Sequence, residues 1–242
     1  KTEADPVWVH FGGGNIFRGF IAGLQQKLLN AGLAEAGIVA AETFDGEIID
    51  RIYKPFDSLT LMVSLKPDGT TDREVIASLA GGLKATPAEE KDWQKLNEIF
   101  VSPTLQMVSF TITEKGYALR NMQGEYFPVG TADMEAGPEK ATHAMSIVTA
   151  LLLHRHEYSG APLALVSMDN CSHNGEKLRA SVLEIAQAWV QNGFAGEDFL
   201  DWLTDEEKVS FPWSMIDKIT PRPSEKITAM LAADGIEEMG AV

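Results

Sequence analysis

Apolar residues along the chain fall into short runs and helical stripes that alternate from the first residues onward. Val7-Trp8-Val9-His10-Phe11 is a compact apolar run that predicts a strand, and it passes directly into Gly12-Gly13-Gly14. From Asn15 to about Ala31, the apolar residues Ile16, Phe17, Phe20, Ile21, Leu24 and Leu28 recur at helical spacing, and Asn30 with Gly32 supplies a stop. Residues 37–41 predict a second strand, with Glu42 at its end. The pattern then changes. Residues 59–65 and 74–77 flank the turn Pro67-Asp68-Gly69, which predicts an inserted β-hairpin. A helix is expected next, with Thr86 as N-cap, Pro87 in the first turn and Glu89 closing a capping box. There follow an apolar strand over 105–112, a polar hairpin around 121–130 and a helix from about 138 to 154. A buried strand over 163–168, a helix from about 175 to 191 and a short amphipathic helix over 224–231 complete the pattern. Apolar strands alternating with helices predict an α/β fold, doubly wound, with a mostly parallel sheet covered on both faces.

Composition narrows the setting. With 242 residues and 45% hydrophobic residues, the chain has enough apolar surface for a sizeable core. No apolar run approaches the roughly 18 residues that span a bilayer, so no membrane partner is expected. The charged opening Lys1-Thr2-Glu3-Ala4-Asp5-Pro6 lacks a signal-like apolar segment, and the single cysteine, Cys171, suits a reducing cytoplasm. The chain does not open on Met, so trimming is expected at the front and suspected at the back. A net charge of −15 opposes a nucleic-acid partner, because a polyphosphate meets a repelling surface. Acidic runs such as Glu197-Asp198, Asp205-Glu206-Glu207 and Glu237-Glu238 read as solvated faces. Cys171, His173, His154 and His156 match no strong zinc spacing, so no metal site is expected. His154-Arg155-His156 reads as a positively charged helix C-terminus that suits the helix dipole. Met145, Trp189 and Trp202 read as packing residues.

The strand–glycine–helix unit carries the first candidate chemistry. A dinucleotide's pyrophosphate needs a turn that backbone can approach without a Cβ in the way, and a helix N-terminus whose amides face the anion. Gly12, Gly13, Gly14, Asn15 and Ile16 supply such a turn between strand and helix, although Phe17 stands where the usual pattern has its third glycine. Glu42 lies 28 positions after Gly14, at the end of the second strand. A carboxylate there accepts both adenosine ribose hydroxyls and repels a 2′-phosphate, which favours NAD over NADP. Asp45 is the fallback acid. The competing structural reading is a plain strand-to-helix turn and a solvated strand end.

In open parallel sheets the ligand lies beyond the carboxyl ends of the strands. Two polar clusters are expected there. One is Thr113-Glu114-Lys115-Gly116-Tyr117, and the other runs from Asp169 through Asn170-Cys171-Ser172-His173 to Asn174-Gly175. Either could serve simply to cap the following helix, and Asn174-Gly175 suits that role.

At these residues the chain resembles the mannitol dehydrogenase family of polyol-specific long-chain dehydrogenases, which includes fructuronate and tagaturonate reductases. The matching segments are residues 10–19 (HFGGGNIFRG), 109–117 (SFTITEKGY), 166–170 (VSMDN) with Asn174-Gly175, and 211–221 (FPWSMIDKITP). Four ordered motifs across nearly the whole chain are specific where any one alone is not. The resemblance implies a Rossmann-like NAD-binding domain over 1–221, with 222–242 beginning the connection to a helical catalytic domain that this sequence lacks. It implies an enzyme that interconverts a secondary alcohol and a ketone by hydride transfer with NAD, on a polyol or hexuronate substrate of the mannonate/fructuronate or mannitol type. In such enzymes a Lys-x4-Asn-x2-His pattern supplies the base. No lysine here has Asn five positions later, so the base is expected beyond residue 242. By motif match, Asn170 is the amide that hydrogen-bonds the reacting oxygen, Glu114 a carboxylate for water or proton contact, and Asp217 an acid of the site. Thr113 is placed with the cofactor-binding residues. Lys218 stands where the family has Arg, which removes any bidentate contact there. Two other functions remain open on the residues alone: an S-adenosylmethionine-dependent methyltransferase, which also uses a glycine turn and an acid after strand two, and a catalytically silent NAD(H)-binding domain.

Overall fold

The computed structural model of the protein describes residues 1–220 and 225–236. β1 (Trp8–Phe11) enters the glycine turn, and β2 (Ile38–Glu42) returns beside it. β3 (Thr60–Leu65) and β4 (Thr71–Ile76) pair antiparallel as the expected hairpin, apart from the main sheet. β5 (Leu79–Lys84), β6 (Met107–Phe110), β7 (Leu163–Ser167) and the short β8 (Val209–Ser210) follow. The main sheet runs β5-β2-β1-β6-β7-β8, and every pairing in it is parallel. The chain therefore winds outward from β1 in one direction and then, from β6, in the other. β1 and β6 flank the point where the direction reverses, where such sheets leave a crevice at their carboxyl edge.

Alternation along the strands explains the two layers. Val9, Phe11, Val39, Ala41, Val108 and Phe110 face one core, shared with the helices α2 (Glu90–Val101), α5 (Ala144–Tyr158), α6 (Asn174–Gln191) and α7 (Glu197–Thr204). Ile38 and Ala40 face a second core with Phe17, Ile21 and Ala22 at the start of the first helix, and with Ile49, Ile52 and Tyr53. Successive residues of a strand point to opposite faces, so apolar residues in both registers require cover on both sides. Met145, Trp189 and Trp202 are buried in the first core, as read from the sequence. Among the described residues, no helix is long and apolar enough to cross a membrane.

Several elements depart from expectation. The first helix opens with a π-helical turn (Phe17–Ile21) before α1 (Ala22–Asn30). β5 was not expected at all. The helix after it begins at Glu90 rather than at a Thr86 cap, because residues 86–89 form a separate turn in which the Glu89 amide donates to the Thr86 carbonyl. The polar hairpin around 121–130 reduces to one bridge between Arg120 and Tyr126. The short α3 (Thr113–Tyr117) precedes it, and α4 (Pro128–Ala136), opened by its proline, follows. Arg155 is not part of an exposed positive helix end. It is fully buried, and its guanidinium donates to the carbonyls of Phe100, Ser102, Leu105, Ala161 and Pro162. Burial lowers its pKa to about 10. The tail helix, α8, spans Glu225–Ala233. The expected boundary at 221/222 lies outside the described residues, as do Pro221 and Ser224.

Candidate functional site at the carboxyl edge of the sheet

The register brings four strand ends to one level: Phe11 pairs with Ala41 and with Phe110, and Phe110 with Ser167. Gly12, Glu42, Thr111 and Met168 are therefore the next residues along one edge. Gly12 has φ +108°, and a Cβ there would lie 2.3 Å from the Thr111 carbonyl oxygen, so only glycine lets the chain turn this tightly against β6. Its amide donates to the Ala41 carbonyl (2.9 Å), which seats the turn on β2. Gly14 is different. A Cβ there would meet nothing within 4 Å, so its outer side faces open space.

Glu42 is fixed against this turn. Its Oε2 accepts from the Gly13 amide (2.7 Å), and its Oε1 accepts from the amides of Phe44 (2.9 Å) and Asp45 (3.3 Å). Tyr53, buried beneath, donates its hydroxyl to the Gly13 carbonyl (3.0 Å), and burial raises its pKa further out of the titrating range. Asp45 itself is exposed. Among the described residues, the amides of Gly14 and Ile16 have no acceptor in the chain. Arg18 sits one turn further on, nearly buried, donating from Nη2 to Asn15 Oδ1 (2.7 Å). Its Nε has no partner, and burial pulls its pKa below the ordinary arginine value. Open amides beside a glycine-lined gap, with a buried guanidinium behind them, suit an anion such as a phosphate.

Phe17 takes over the work of the missing third glycine in another way. Its ring lies flat on the imidazole of His10, centroids 4.0 Å apart and 8° from parallel, which packs the helix onto the strand. His10 is fully buried, and desolvation pushes its pKa down to about 3.

The two polar clusters after β6 and β7 are tied together by Asp169. Its carboxylate accepts from the amides of Ile112 and Thr113 (2.9 Å each) and from the Tyr117 hydroxyl (2.5 Å). Ser167 shares the Tyr117 hydroxyl at 2.8 Å. Thr113 is exposed and has φ +66°, a strained conformation for a β-branched residue, and the two amide bonds to Asp169 hold it there. Glu114 is exposed and pairs with Lys177, whose pKa it raises through their hydrogen bond. Asn170 is exposed in the turn after Asp169.

Asn174 makes the next link. Its Nδ2 lies within hydrogen-bond reach of the carbonyls of Ser167 and Asp169 (3.1 Å each) and Ser214 (2.8 Å), and its Oδ1 accepts from the amides of Gly175 (2.8 Å) and Ser214 (3.3 Å). Asn174 is thus more than a helix cap: it anchors the segment 211–220 to the β7 loop. That segment continues to the first helix, where Ile216 packs on the core around Phe17 and Lys218 lies 5.9 Å from the Phe20 ring. Asp217, exposed between them, is carried across the edge by this strap.

The four motifs read from the sequence therefore meet at one edge. Arg18, Tyr53, Asp169 and Asn174 were not singled out as functional. Arg18, Asp169 and Asn174 stand inside the motifs that carry the resemblance, but their partners depend on packing and strand register.

An all-parallel sheet of this order, with a glycine turn after its first strand and an acid after its second, defines a Rossmann-type domain. The family model for the mannitol dehydrogenase Rossmann domain matches residues 7–237, and the chain belongs to this family. It is 49% identical over 239 residues to a D-mannonate oxidoreductase of Thermotoga maritima, covering 99% of this chain and 44% of that protein. It is 30% identical over 241 residues to a polyol:NADP oxidoreductase of Gluconobacter oxydans, covering 96% of this chain and 47% of the other. Among solved structures, the Pseudomonas fluorescens mannitol 2-dehydrogenase in ternary complex with NAD and D-mannitol superposes with a TM-score of 0.78 at 28% identity. That match covers 97% of this chain and 46% of the other. The chain spans about half the length of the relatives it matches.

Proposed function

We propose that this chain is the NAD-binding half of an oxidoreductase that interconverts a secondary alcohol and a ketone of an open-chain sugar acid or sugar alcohol. A hexuronate of the mannonate/fructuronate type is the preferred substrate, on the strength of the likeness to the Thermotoga maritima protein. The observation that carries the reading is the turn itself. Gly12 is forced against β6, Gly14 is open, and Glu42 is held at the end of β2 by three amides.

In this reading the pyrophosphate lies over the open amides of Gly14 and Ile16, the Gly13 amide being taken by Glu42, and Glu42 accepts the adenosine ribose hydroxyls, with Asp45 beside it. NAD, when bound, supplies the hydride acceptor or donor. The chain's own contribution is to bind and orient it: Thr113 lies near the nicotinamide side, fixed by Asp169. Asn170 donates its amide to the reacting oxygen and stabilises alkoxide character as it develops. Glu114 and Asp217 are the carboxylates facing the substrate side, and Glu114 must exchange its Lys177 partner to serve in proton transfer. The base is proposed to come from a further domain of the whole protein.

Calorimetric titration with NAD, NADP and S-adenosylmethionine tests the cofactor. Saturable NAD binding is expected; binding of S-adenosylmethionine with none of NAD overturns the proposal. Residues 1–242 by themselves are expected to bind NAD weakly and to turn over none of a panel of polyols and hexuronates. The whole protein is expected to reduce a keto-hexuronate with NADH.

A further inference from the structure

A buried polar relay runs along the seam between β1 and β6, the two strands that flank the reversal of the sheet. Trp8 and His10 on β1, and Ser109 and Thr111 at and beyond the end of β6, share one face, since each pair is two residues apart. The Trp8 indole Nε1 donates to Ser109 Oγ (2.6 Å), Ser109 Oγ lies 2.6 Å from His10 Nδ1, and His10 Nε2 lies 2.8 Å from Thr111 Oγ1. His10 and Ser109 are both fully buried.

The direction of every bond in this relay follows from its first member. An indole N–H only donates, so Ser109 Oγ accepts from Trp8. Were His10 protonated on Nδ1, Ser109 would receive two donors and its own hydroxyl hydrogen would be buried with no acceptor, which costs the full desolvation of that group. The Ser109 hydroxyl therefore donates to Nδ1, and the single imidazole proton sits on Nε2. Nε2–H donates to Thr111 Oγ1. Thr111 has then accepted, and its own hydrogen is left for something outside the relay.

Thr111 is positioned to use it. It is only partly buried, and its Oγ1 lies 3.0 Å from where a Cβ on Gly12 would stand. The hydroxyl is thus beside the glycine turn, at the crevice between the two halves of the sheet.

We propose that Thr111 donates a hydrogen bond to a phosphate oxygen of the bound dinucleotide, and that His10, in its Nε2–H form, is the positioning residue that makes Thr111 a donor. The inference rests on reading residues 12–16 as a dinucleotide turn. Trp8 and Ser109 act only through His10. The relay moves no proton during the reaction; it fixes which way one hydroxyl points.

Two measurements decide it. In 15N-labelled protein, with the His10 signals assigned by their loss in His10→Gln, the imidazole is expected to show an unprotonated Nδ1 and a protonated Nε2; the opposite tautomer overturns the inference without touching the cofactor assignment. In calorimetric titration with NAD, Thr111→Val is expected to weaken binding about tenfold or more, as loss of one hydrogen bond to a charged oxygen does, whereas Thr111→Ser stays within about threefold of the parent. Parent-like affinity in Thr111→Val overturns the inference and leaves the NAD reading standing. Failure of the parent protein to bind NAD removes both.

Discussion

A Cβ added at position 12 and one added at position 14 meet opposite fates. At Gly12 it would lie 2.3 Å from a carbonyl oxygen on a backbone with φ +108°, so Gly12→Ala is expected to cost about 3 kcal/mol or more of stability. At Gly14 it enters open space on a backbone without positive φ, so Gly14→Ala should hold the melting behaviour within about 1 kcal/mol of the parent. The same methyl group lies where the pyrophosphate approaches, and a weakening of NAD binding by about tenfold is expected in calorimetry. A Gly14→Ala protein that binds NAD like the parent would place the phosphates elsewhere. Glu42→Ala removes the charge that disfavours a 2′-phosphate, so the preference for NAD over NADP should relax by about tenfold; unchanged selectivity takes Glu42 out of the ribose site. The glycines and Glu42 were legible because their requirement is local: a tight turn after one strand and an acid after the next. His10 and Tyr53 were not, because a histidine or tyrosine acquires its partners from register and packing.

At the level of elements, two charged side chains, half-buried Asp169 and buried Arg155, hold segments that have little regular structure of their own. Asp169 collects two amides and a phenol from the loop after β6 and keeps Thr113 in its left-handed conformation. In Asp169→Asn, one acceptor becomes a donor facing donors. A loss of about 2–3 kcal/mol by denaturant unfolding is expected, with weakened NAD binding, since Thr113 is no longer held. An Asp169→Asn protein of parent stability would mean that the loop is fixed by other contacts. Arg155 gathers five carbonyls from the end of α2 and from the connections leading into β6 and β7, and Arg155→Met removes its donors from all of them, including the buried carbonyls of Phe100 and Leu105. About 2–4 kcal/mol is expected to be lost, chiefly from the buried carbonyls of Phe100 and Leu105, with nucleotide affinity kept in the fraction that folds. Strand and helix periodicity made most elements readable from the sequence. β5 was not, because Gly81-Gly82 breaks the pattern of a strand. A side chain at 82 would collide with Ile49 and Tyr53 at under 3 Å, so the glycine serves the packing of that layer rather than a turn. The Thr86 capping signal misled for the converse reason: the local chemistry was present, but Thr86 closes a turn ahead of the helix.

For the molecule as a whole, the buried imidazole of His10 links stability to pH. Its pKa is about 3 in the fold against an ordinary 6.5, so between these values the unfolded chain binds a proton that the folded chain does not. Stability from this group is complete above pH 6.5 and declines as pH falls, by about 1 kcal/mol per pH unit between pH 6 and 5. Burial lowers His143 and His154 as well, so they add in the same sense. Urea unfolding of the parent and of His10→Gln across that interval should show a shallower slope in the variant; equal slopes would mean that His10 is not held neutral. The doubly wound architecture was evident from the alternation of strands and helices, and the four motifs marked out the site's components. How those components join was not evident, because the clamps at Asp169 and Asn174 and the strap over 211–220 exist only once β6, β7 and α6 are side by side.

If the amides opening the first helix receive the cofactor's phosphates, adding NAD to 15N-labelled protein perturbs their backbone resonances. Those of Gly13, Gly14, Asn15 and Ile16 are expected to shift in a saturable way while those of the β3–β4 hairpin tip stay fixed. Saturable binding that leaves residues 13–16 unmoved would place the phosphates away from the first helix.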